Sequence, residues 1–109
     1  MATRPRSGQL VTIWWRDIPT QVNAQSGRTR YAAVLPRRFQ RAVDEAAMAA
    51  GLTQASDYVA EWRRTSAPYL GATTGDALQA AADAAAARFD AEDAKERLVE
   101  LARNGGVEP

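Results

Sequence analysis

The sequence predicts an α+β fold, in which a three-stranded antiparallel sheet is packed by two helices and followed by a long C-terminal alanine-rich helix. Three observations carry this prediction. The first third alternates β-branched and aromatic residues between turn-forming residues, which is typical of antiparallel strands. The middle repeats apolar residues at three- and four-residue spacing, which indicates amphipathic helices. The last third contains the run ALQAAADAAAARF, whose composition favours a helix.

The first third of the chain predicts the sheet. Residues 9–16, QLVTIWWR, have the β-branched and aromatic content of a strand. The following Asp17-Ile18-Pro19 should turn the chain, because proline cannot donate to a strand ladder. A second strand is predicted over residues 20–25 and a third over residues 28–34, joined by a tight turn at Ser26-Gly27.

Two adjacent tryptophans close the first predicted strand. Successive side chains of a strand point to opposite faces, so Trp15 shares a face with Val11 and Ile13 and belongs to the predicted core. Trp14 lies on the other face. It either packs under a helix, for which the alanine-rich helix is the preferred candidate, or it is an exposed anchor for a partner, a role in which tryptophan is enriched.

Two helices are predicted between residues 36 and 64. Pro36 suits the start of the first helix, and Gly51 suits its end. Thr53 is the predicted N-cap of the second helix, which should end near Arg63-Arg64. The apolar stripe of the first helix is Phe39, Val43, Ala46 and Ala50, and that of the second is Ala55, Tyr58, Val59 and Trp62.

The last third predicts a linker and then one long helix. The linker TSAPYLGATTG is rich in glycine, serine and threonine, and its GATTG lacks the lysine of a phosphate-binding loop. Thr73 or Thr74 is the predicted N-cap of the helix, and Asn104-Gly105-Gly106 its end. The helix either covers its own sheet or docks on another chain. The predicted organisation is a disordered N-terminus at 1–8, an α+β domain at 9–64, a linker at 65–75 and the C-terminal helix at 76–104.

The composition argues against most kinds of catalysis. The chain has 109 residues, of which 46% are hydrophobic and 25% charged, as in an ordinary globular domain. It contains no cysteine and no histidine, which removes thiol chemistry and the commonest general base and metal ligand. We therefore expect a non-catalytic protein without cofactor or metal. No apolar run approaches the roughly 20 residues of a membrane span, and no signal peptide is recognised, so we expect a cytoplasmic protein.

The charges are distributed unevenly between the two parts of the chain. Residues 1–41 contain eight arginines and one acidic residue, Asp17, whereas most acidic residues follow. Such asymmetry indicates an anionic partner, or attraction between the two parts. The carboxylates of Glu92, Asp93 and Glu96 alternate with basic residues, which is typical of a solvated helix face rather than a metal site.

The candidate contact residues combine this basic character with aromatic rings. Arg16 could contact an anion with Asp17 orienting it, or the two could form a local ion pair and turn. The arginines together with Trp14 and Tyr31 could also bind single-stranded nucleic acid by phosphate contact and stacking. The residues predicted to contact a partner or ligand are Trp14, Arg16, Asp17, Arg28, Arg30, Tyr31, Arg37, Arg38 and Arg41.

Residues 9–64 contain a distinctive combination of short motifs. The motifs are Trp15-Arg16-Asp17-Ile18-Pro19, Gln21-Val22, Gly27-Arg28, Leu35-Pro36 with Phe39-Gln40, Ala46-Ala47-Met48, and Asp57-Tyr58 with Trp62. This combination resembles a small bacterial domain family labelled "virulence factor". The resemblance implies a small α+β module with no assigned reaction. It also implies an association with corrinoid- and tetrahydrofolate-dependent one-carbon enzymes.

The function we expect is that of a protein–protein interaction module or accessory subunit of a bacterial enzyme assembly. The partner would be another protein or a second copy of the chain, bound through the sheet face or the C-terminal helix. A single-stranded nucleic-acid binder is one alternative. The other is a small protein or enzyme for an anionic ligand, which would require a pocket that gathers Arg16, Asp17, Arg28 and Tyr31.

Overall fold

The computed structural model describes residues 8–52, 54–92 and 95–108, which form four strands and four helices. The predicted disorder of residues 1–8 therefore falls almost entirely outside the described residues. The strands are β1 (Gly8–Trp15), β2 (Ile18–Ser26), β3 (Thr29–Val34) and β4 (Trp62–Tyr69). The helices are α1 (Arg37–Ala49), α2 (Ala55–Ala60), α3 (Gly75–Glu92) and α4 (Lys95–Arg103).

The α+β class is confirmed, but the prediction of three strands was wrong. One antiparallel sheet holds four strands in the order β3-β2-β1-β4. The sequence pattern assigned Trp62 to a helix because it follows Tyr58 by four residues, and it assigned residues 65–69 to a linker because they include Pro68. Proline is tolerated in β4 because β4 is an edge strand, where an outward-facing nitrogen breaks no ladder bond.

The long C-terminal helix predicted over 76–104 is two helices in the structure. α3 packs on β2 and β3, whereas α4 packs on α1. The apolar stripe is weak between Phe89 and Leu98, so the sequence offers little to hold one continuous helix against either surface. Residue 93 of the predicted acidic face, like the predicted N-cap Thr53, lies outside the described residues. No cluster of three potential metal ligands occurs in the described part of the chain.

Several helix ends follow from the capping residues. The Thr74 Oγ1 accepts a hydrogen bond from the Ala77 N–H at 3.3 Å, as predicted for the N-cap of α3. Gly51 takes φ +72° after α1, and Gly105 takes φ +70° after α4. In both places the two N–H groups that follow the cap bond back to carbonyls of the last turn, which is the Schellman motif.

One apolar cluster joins the sheet to the helices. Trp15, Ile18, Phe39, Leu78 and Leu101 are almost fully buried and come from β1, β2, α1, α3 and α4. Burying a large apolar side chain stabilises the fold by roughly 1.5–3 kcal/mol each, so this cluster dominates the stability. The rest of it is mostly alanine, and more than half of these alanines come from α1 and α3, where small side chains let the helices approach their neighbours closely.

Asn23 is the polar exception in the middle of the sheet. Asn23 is only 3% exposed, at a position where the strand pattern predicts an apolar side chain. The Asn23 Oδ1 accepts a hydrogen bond of 2.8 Å from the Gln21 Nε2 on the same face of β2. This bond offsets the cost of burying an amide, so β2 is buried despite the polar residue.

No helix in the described part of the chain has both the length and the apolar character needed to cross a membrane.

Replacing Gly106 by alanine should destabilise the fold more than replacing Gly51 by alanine. Both glycines have positive φ, but an added Cβ at Gly106 would lie 2.8 Å from Trp15 Cζ3, whereas one at Gly51 meets nothing within 4 Å. We expect a loss of about 1 kcal/mol for Gly51→Ala from the backbone alone and about 2–4 kcal/mol for Gly106→Ala. Urea unfolding measures both, and equal losses would contradict the contact with Trp15.

Candidate interaction surface

Trp14 lies against α3 on the face of the sheet that this helix covers, called here the α3 face. Its strand partners place Leu10, Thr12 and Trp14 on the α3 face together with Val22 and Ala24. The Trp14 ring meets the Phe89 ring edge-on at a centroid distance of 5.3 Å, and its Nε1 donates to Thr65 Oγ1 at 2.7 Å. The side chain is half-buried, so α3 supplies part of its cover and leaves part of the ring accessible.

Arg16 holds the turn between β1 and β2 to two other segments. Its Nη1 donates to the Gly105 carbonyl at 3.0 Å, and its Nη2 lies 3.1 Å from the Glu61 carboxylate. Its own N–H donates to the Glu61 carbonyl, and its backbone has φ +51°, an uncommon conformation for a non-glycine residue. Within the described residues, Arg16 therefore contacts protein groups with both terminal nitrogens.

Asp17 completes this turn by holding the segment that follows α4. The Asp17 Oδ2 accepts the Glu108 N–H at 2.9 Å, and the Asp17 N–H donates to the Gly106 carbonyl at 2.8 Å. The Asp17 Oδ1 lies 3.3 Å from Arg63 Nη2. Arg63 in turn places its guanidinium 4.8 Å from the centroid of the Trp14 ring, which forms a cation–π contact.

The other predicted contact residues lie elsewhere. Arg28 is in the turn between β2 and β3, and Arg30 is exposed on the face opposite the α3 face. Tyr31 is half-buried on the α3 face, and its hydroxyl is so close to Gly75 that an added Cβ there would lie 2.6 Å away. These three residues lie toward the end of the sheet opposite to Arg16. The two ends are roughly 25 Å apart, which is the length of an eight-residue strand.

The three arginines of α1 do not join either group. Arg37 and Arg41 are exposed, whereas Arg38 pairs with the Asp90 carboxylate of α3 and donates to the Asp90 carbonyl at 3.0 Å. The pocket required for an anionic-ligand enzyme, with Arg16, Asp17, Arg28 and Tyr31 together, is therefore not formed by the described residues. The predicted residues are spread over both ends of the sheet.

The structure instead contains a groove that the sequence pattern did not reveal, called here the β4 groove. It lies on the α3 face, between α3 and β4, because α3 packs mainly over β2 and β3 and leaves much of β1 and β4 uncovered. Its volume is about 430 Å³, and most of its surface is apolar. The lining residues are Leu10, Thr12, Val22, Thr65, Ser66, Ala67, Ala85, Arg88 and Phe89.

The edge strand β4 directs half of its backbone polar groups away from the sheet. Trp15 and Ile18 flank a two-residue turn, so the backbone N–H and C=O groups of each residue point at the strand of the other. These groups alternate in direction along β1, so those of Trp14 point at β4. By the register between β1 and β4, the backbone N–H and C=O groups of Arg63, Thr65 and Ala67 then point at β1. It follows that Arg64 and Ser66 turn their N–H and C=O groups outward.

Pro68 agrees with this alternation. Like Arg64 and Ser66, Pro68 directs its backbone nitrogen away from β1. This nitrogen carries no hydrogen, and no hydrogen bond to β1 is lost. An outward carbonyl remains at Pro68, but no outward donor. The strand edge open to another chain therefore runs from Trp62 to Pro68, and β4 is exposed along almost all of this length.

The opposite edge of the sheet is partly occupied by the chain itself. By the same alternation, counted from the turn between Ser26 and Thr29, Ala32 directs its carbonyl outward from β3. The Gln79 Nε2 of α3 lies 3.4 Å from this carbonyl and donates to it. No such side-chain bond reaches the outward groups of β4 in the residues that the structure describes, so β4 is the more open edge.

The charged groups of β4 itself and of the groove lining are positive. Arg63 and Arg64 lie on the strand and Arg88 on the α3 wall of the groove, whereas β4 and the groove lining contain no acidic residue. Arg63 is paired with Asp17. Arg64 and Arg88 are exposed and have no ion pair among the described residues.

Replacing Asp17 by alanine should loosen the segment after α4 more than replacing it by asparagine. Alanine removes both the Arg63 pair and the acceptor for the Glu108 N–H, whereas asparagine keeps an acceptor oxygen. We expect losses of about 1–2 kcal/mol for Asp17→Ala and under about 1 kcal/mol for Asp17→Asn, since the ion pair is half-exposed. Denaturant unfolding and amide exchange at Glu108 check this. Unchanged exchange in Asp17→Ala would contradict it.

Comparison with known proteins supplies a family but no characterised relative. The family model described as "Virulence factor" matches residues 13–102. The match extends beyond the motifs of residues 9–64 and includes β4, α3 and most of α4. A search of curated proteins and a search of solved structures each found no match. Because the family model spans most of the chain, the protein belongs to the virulence factor family.

Proposed function

We propose that the protein is a non-catalytic interaction module, an accessory subunit that docks on a partner protein through the β4 groove. The observation that carries this proposal is an apolar groove beside an open strand edge, because this combination offers both apolar area and unpaired backbone groups. Partner proteins use such edges by adding a strand or a loop to the sheet.

The chemistry of the groove supports binding rather than catalysis. Its polar side chains are the hydroxyls of Thr12 and Thr65 and the guanidinium of Arg88, and the lining has no carboxylate. The Ser66 hydroxyl lies on the opposite face, where it donates to Gln9 Oε1. General acid–base catalysis needs a titratable group within hydrogen-bond reach of the reacting atoms. An arginine stays protonated at any ordinary pH, so it serves as an anion contact.

The aromatic group at one end of the groove supplies a suitable anchor. Phe89 lines the groove and meets Trp14 edge-on, and Arg63 lies over the Trp14 ring. Tryptophan and arginine are enriched among the residues that dominate binding energy at protein interfaces. Because the chain itself holds these side chains in place, little rotamer entropy is lost when a partner binds.

The partner in this proposal is a component of a bacterial enzyme assembly. The corrinoid- and tetrahydrofolate-dependent one-carbon enzymes implied by the family resemblance are the first candidates to test, and we propose a cytoplasmic site of action with them. The nucleic-acid hypothesis receives less support, because Trp14 packs against Phe89 and Tyr31 against Gly75 at the start of α3. Neither ring offers two free faces for stacking on bases.

Replacing Ala67 by glutamate should abolish partner capture. Ala67 is exposed in the groove, so the larger charged side chain fills the docking surface without entering the core. Met48→Glu is the matched control, because Met48 is an exposed apolar residue on α1, 79% accessible. Affinity capture from a lysate of the source organism, quantified by mass spectrometry, compares the two variants with the wild type.

The expected result is a specific partner retained by the wild type and Met48→Glu and reduced at least tenfold with Ala67→Glu. Equal recovery of the same partners by both variants would exclude the groove as the docking surface. Circular dichroism and denaturant unfolding show that both variants are folded.

A further inference from the structure

We propose that the docking segment of the partner is an extended strand of alternating apolar and acidic residues, which pairs antiparallel with β4 as a fifth strand. This inference rests on the proposed function, since it names the chemistry of the segment that the β4 groove receives. It follows from three features of β4: its outward backbone groups, the two environments on its faces, and its charge.

The backbone fixes where the segment can pair. Arg64 and Ser66 each offer an outward N–H and C=O, and Pro68 offers only a carbonyl. Trp62 lies at the other limit, where its half-buried ring packs edge-on against Tyr58. The open edge therefore accepts a segment of about five to seven residues, the usual length of a strand.

The side chains fix the alternation. In an antiparallel pair, residues directly opposite each other share a face. Segment residues opposite Arg64 and Ser66 would therefore lie on the face away from α3, next to the Arg64 guanidinium. The residues between them would lie on the α3 face, beside Thr65 and Ala67 at the apolar groove. Acidic residues suit the first set and apolar residues the second.

The charge favours a foreign acidic segment over a second copy of this chain. Antiparallel pairing of two β4 strands would bring two arginines from each copy onto one ribbon, and β4 has no acidic residue to offset them. Like charges across a strand pair destabilise it. The acidic residues of a foreign segment would instead lie beside Arg64, which has no ion pair among the described residues.

Synthetic peptides test the charge pattern directly. One probe is a capped heptapeptide of alternating valine and glutamate with valine at both ends, and the matched probe has lysine in place of glutamate. Calorimetric titration of the full chain at low ionic strength should show binding of the glutamate peptide and at least tenfold weaker binding of the lysine peptide. No binding of the glutamate peptide, or equal binding of both, would overturn the proposal.

Backbone methylation tests the strand pairing itself. In antiparallel addition the glutamates face Arg64 and Ser66, so their N–H groups point at β4, whereas the valine N–H groups point to solvent. N-methylation of the three glutamates should weaken binding at least tenfold, and N-methylation of three valines should leave it within about threefold. Equal effects, or the reverse order expected for parallel pairing, would contradict the proposed geometry.

A charge reversal on the protein provides the complementary test. Arg64→Glu should weaken the glutamate peptide and strengthen the lysine peptide, whereas Arg41→Glu, an exposed arginine on α1, should change neither. Unchanged preference in Arg64→Glu would overturn the role of Arg64. A dimer of the free chain that persists at saturating peptide and disappears in Ala67→Glu would show that a second copy occupies β4, which also overturns the proposal.

These outcomes are separable from those of the capture experiment. If Ala67→Glu abolishes capture of a partner but the peptides fail, the groove remains the docking surface and only the strand addition is rejected. If the peptides bind as expected but Ala67→Glu captures the same partners as the wild type, peptide pairing stands and the proposed docking function fails.

Discussion

The burial of Trp15 is the contact on which the arrangement of the whole chain depends. Trp15 is the last residue of β1 and is fully buried. Its Nε1 donates to the Tyr58 carbonyl of α2 at 2.9 Å, and its ring lies against Gly106, which is wedged beside Ala46 of α1. One indole therefore fixes the sheet relative to α1, α2 and the segment after α4. Only glycine fits between the indole and α1 at position 106. Trp15, near the start of the chain, therefore determines which residue follows α4 at this position.

The charged residues of the turn that follows Trp15 bond to distant parts of the same chain. Arg16 and Asp17 looked like ligand contacts because they sit at a strand end beside a proline. In the structure most of their polar atoms bond to Glu61, Gly105, Gly106 and Glu108, although the buried Arg16 Nε has no hydrogen-bond partner among the described residues. Sequence pattern alone shows that such groups need partners, but it cannot show that partners more than forty residues away will supply them. The family motif around Trp15 therefore has a structural role in joining the β1–β2 turn to α2 and to the segment after α4.

Local patterns identified most of the fold and missed the strand on which the proposed docking surface depends. Most of the first three strands, the capping residues Thr74 and Gly51, and the stripe around Phe39 follow from periodicity and backbone chemistry, which are properties of neighbouring residues. The start of β2 was predicted wrongly, because Ile18 and Pro19 were expected in the turn but pair with Trp15 and Trp14. β4 does not follow from them, because its sequence WRRTSAPY has little apolar alternation and contains a proline. Its strand conformation comes from the open edge of β1, a tertiary effect. The β4 groove was unpredictable for the same reason, since it exists only where α3 leaves two strands uncovered.

The contacts between the first turn and the segment after α4 also have a kinetic meaning. Asp17 and Glu108 are separated by 91 positions, so their hydrogen bond closes a loop that contains most of the fold. Closing a loop of that length costs about 4 kcal/mol of chain entropy when nothing else has formed. The pairing of β1 with β2 needs only a two-residue turn and can form early. The groups that enclose Trp15 come together only once the segment after α4 has docked. We therefore expect the Trp15 ring to be covered late in folding, and apolar surface exposed during that interval favours association with other chains.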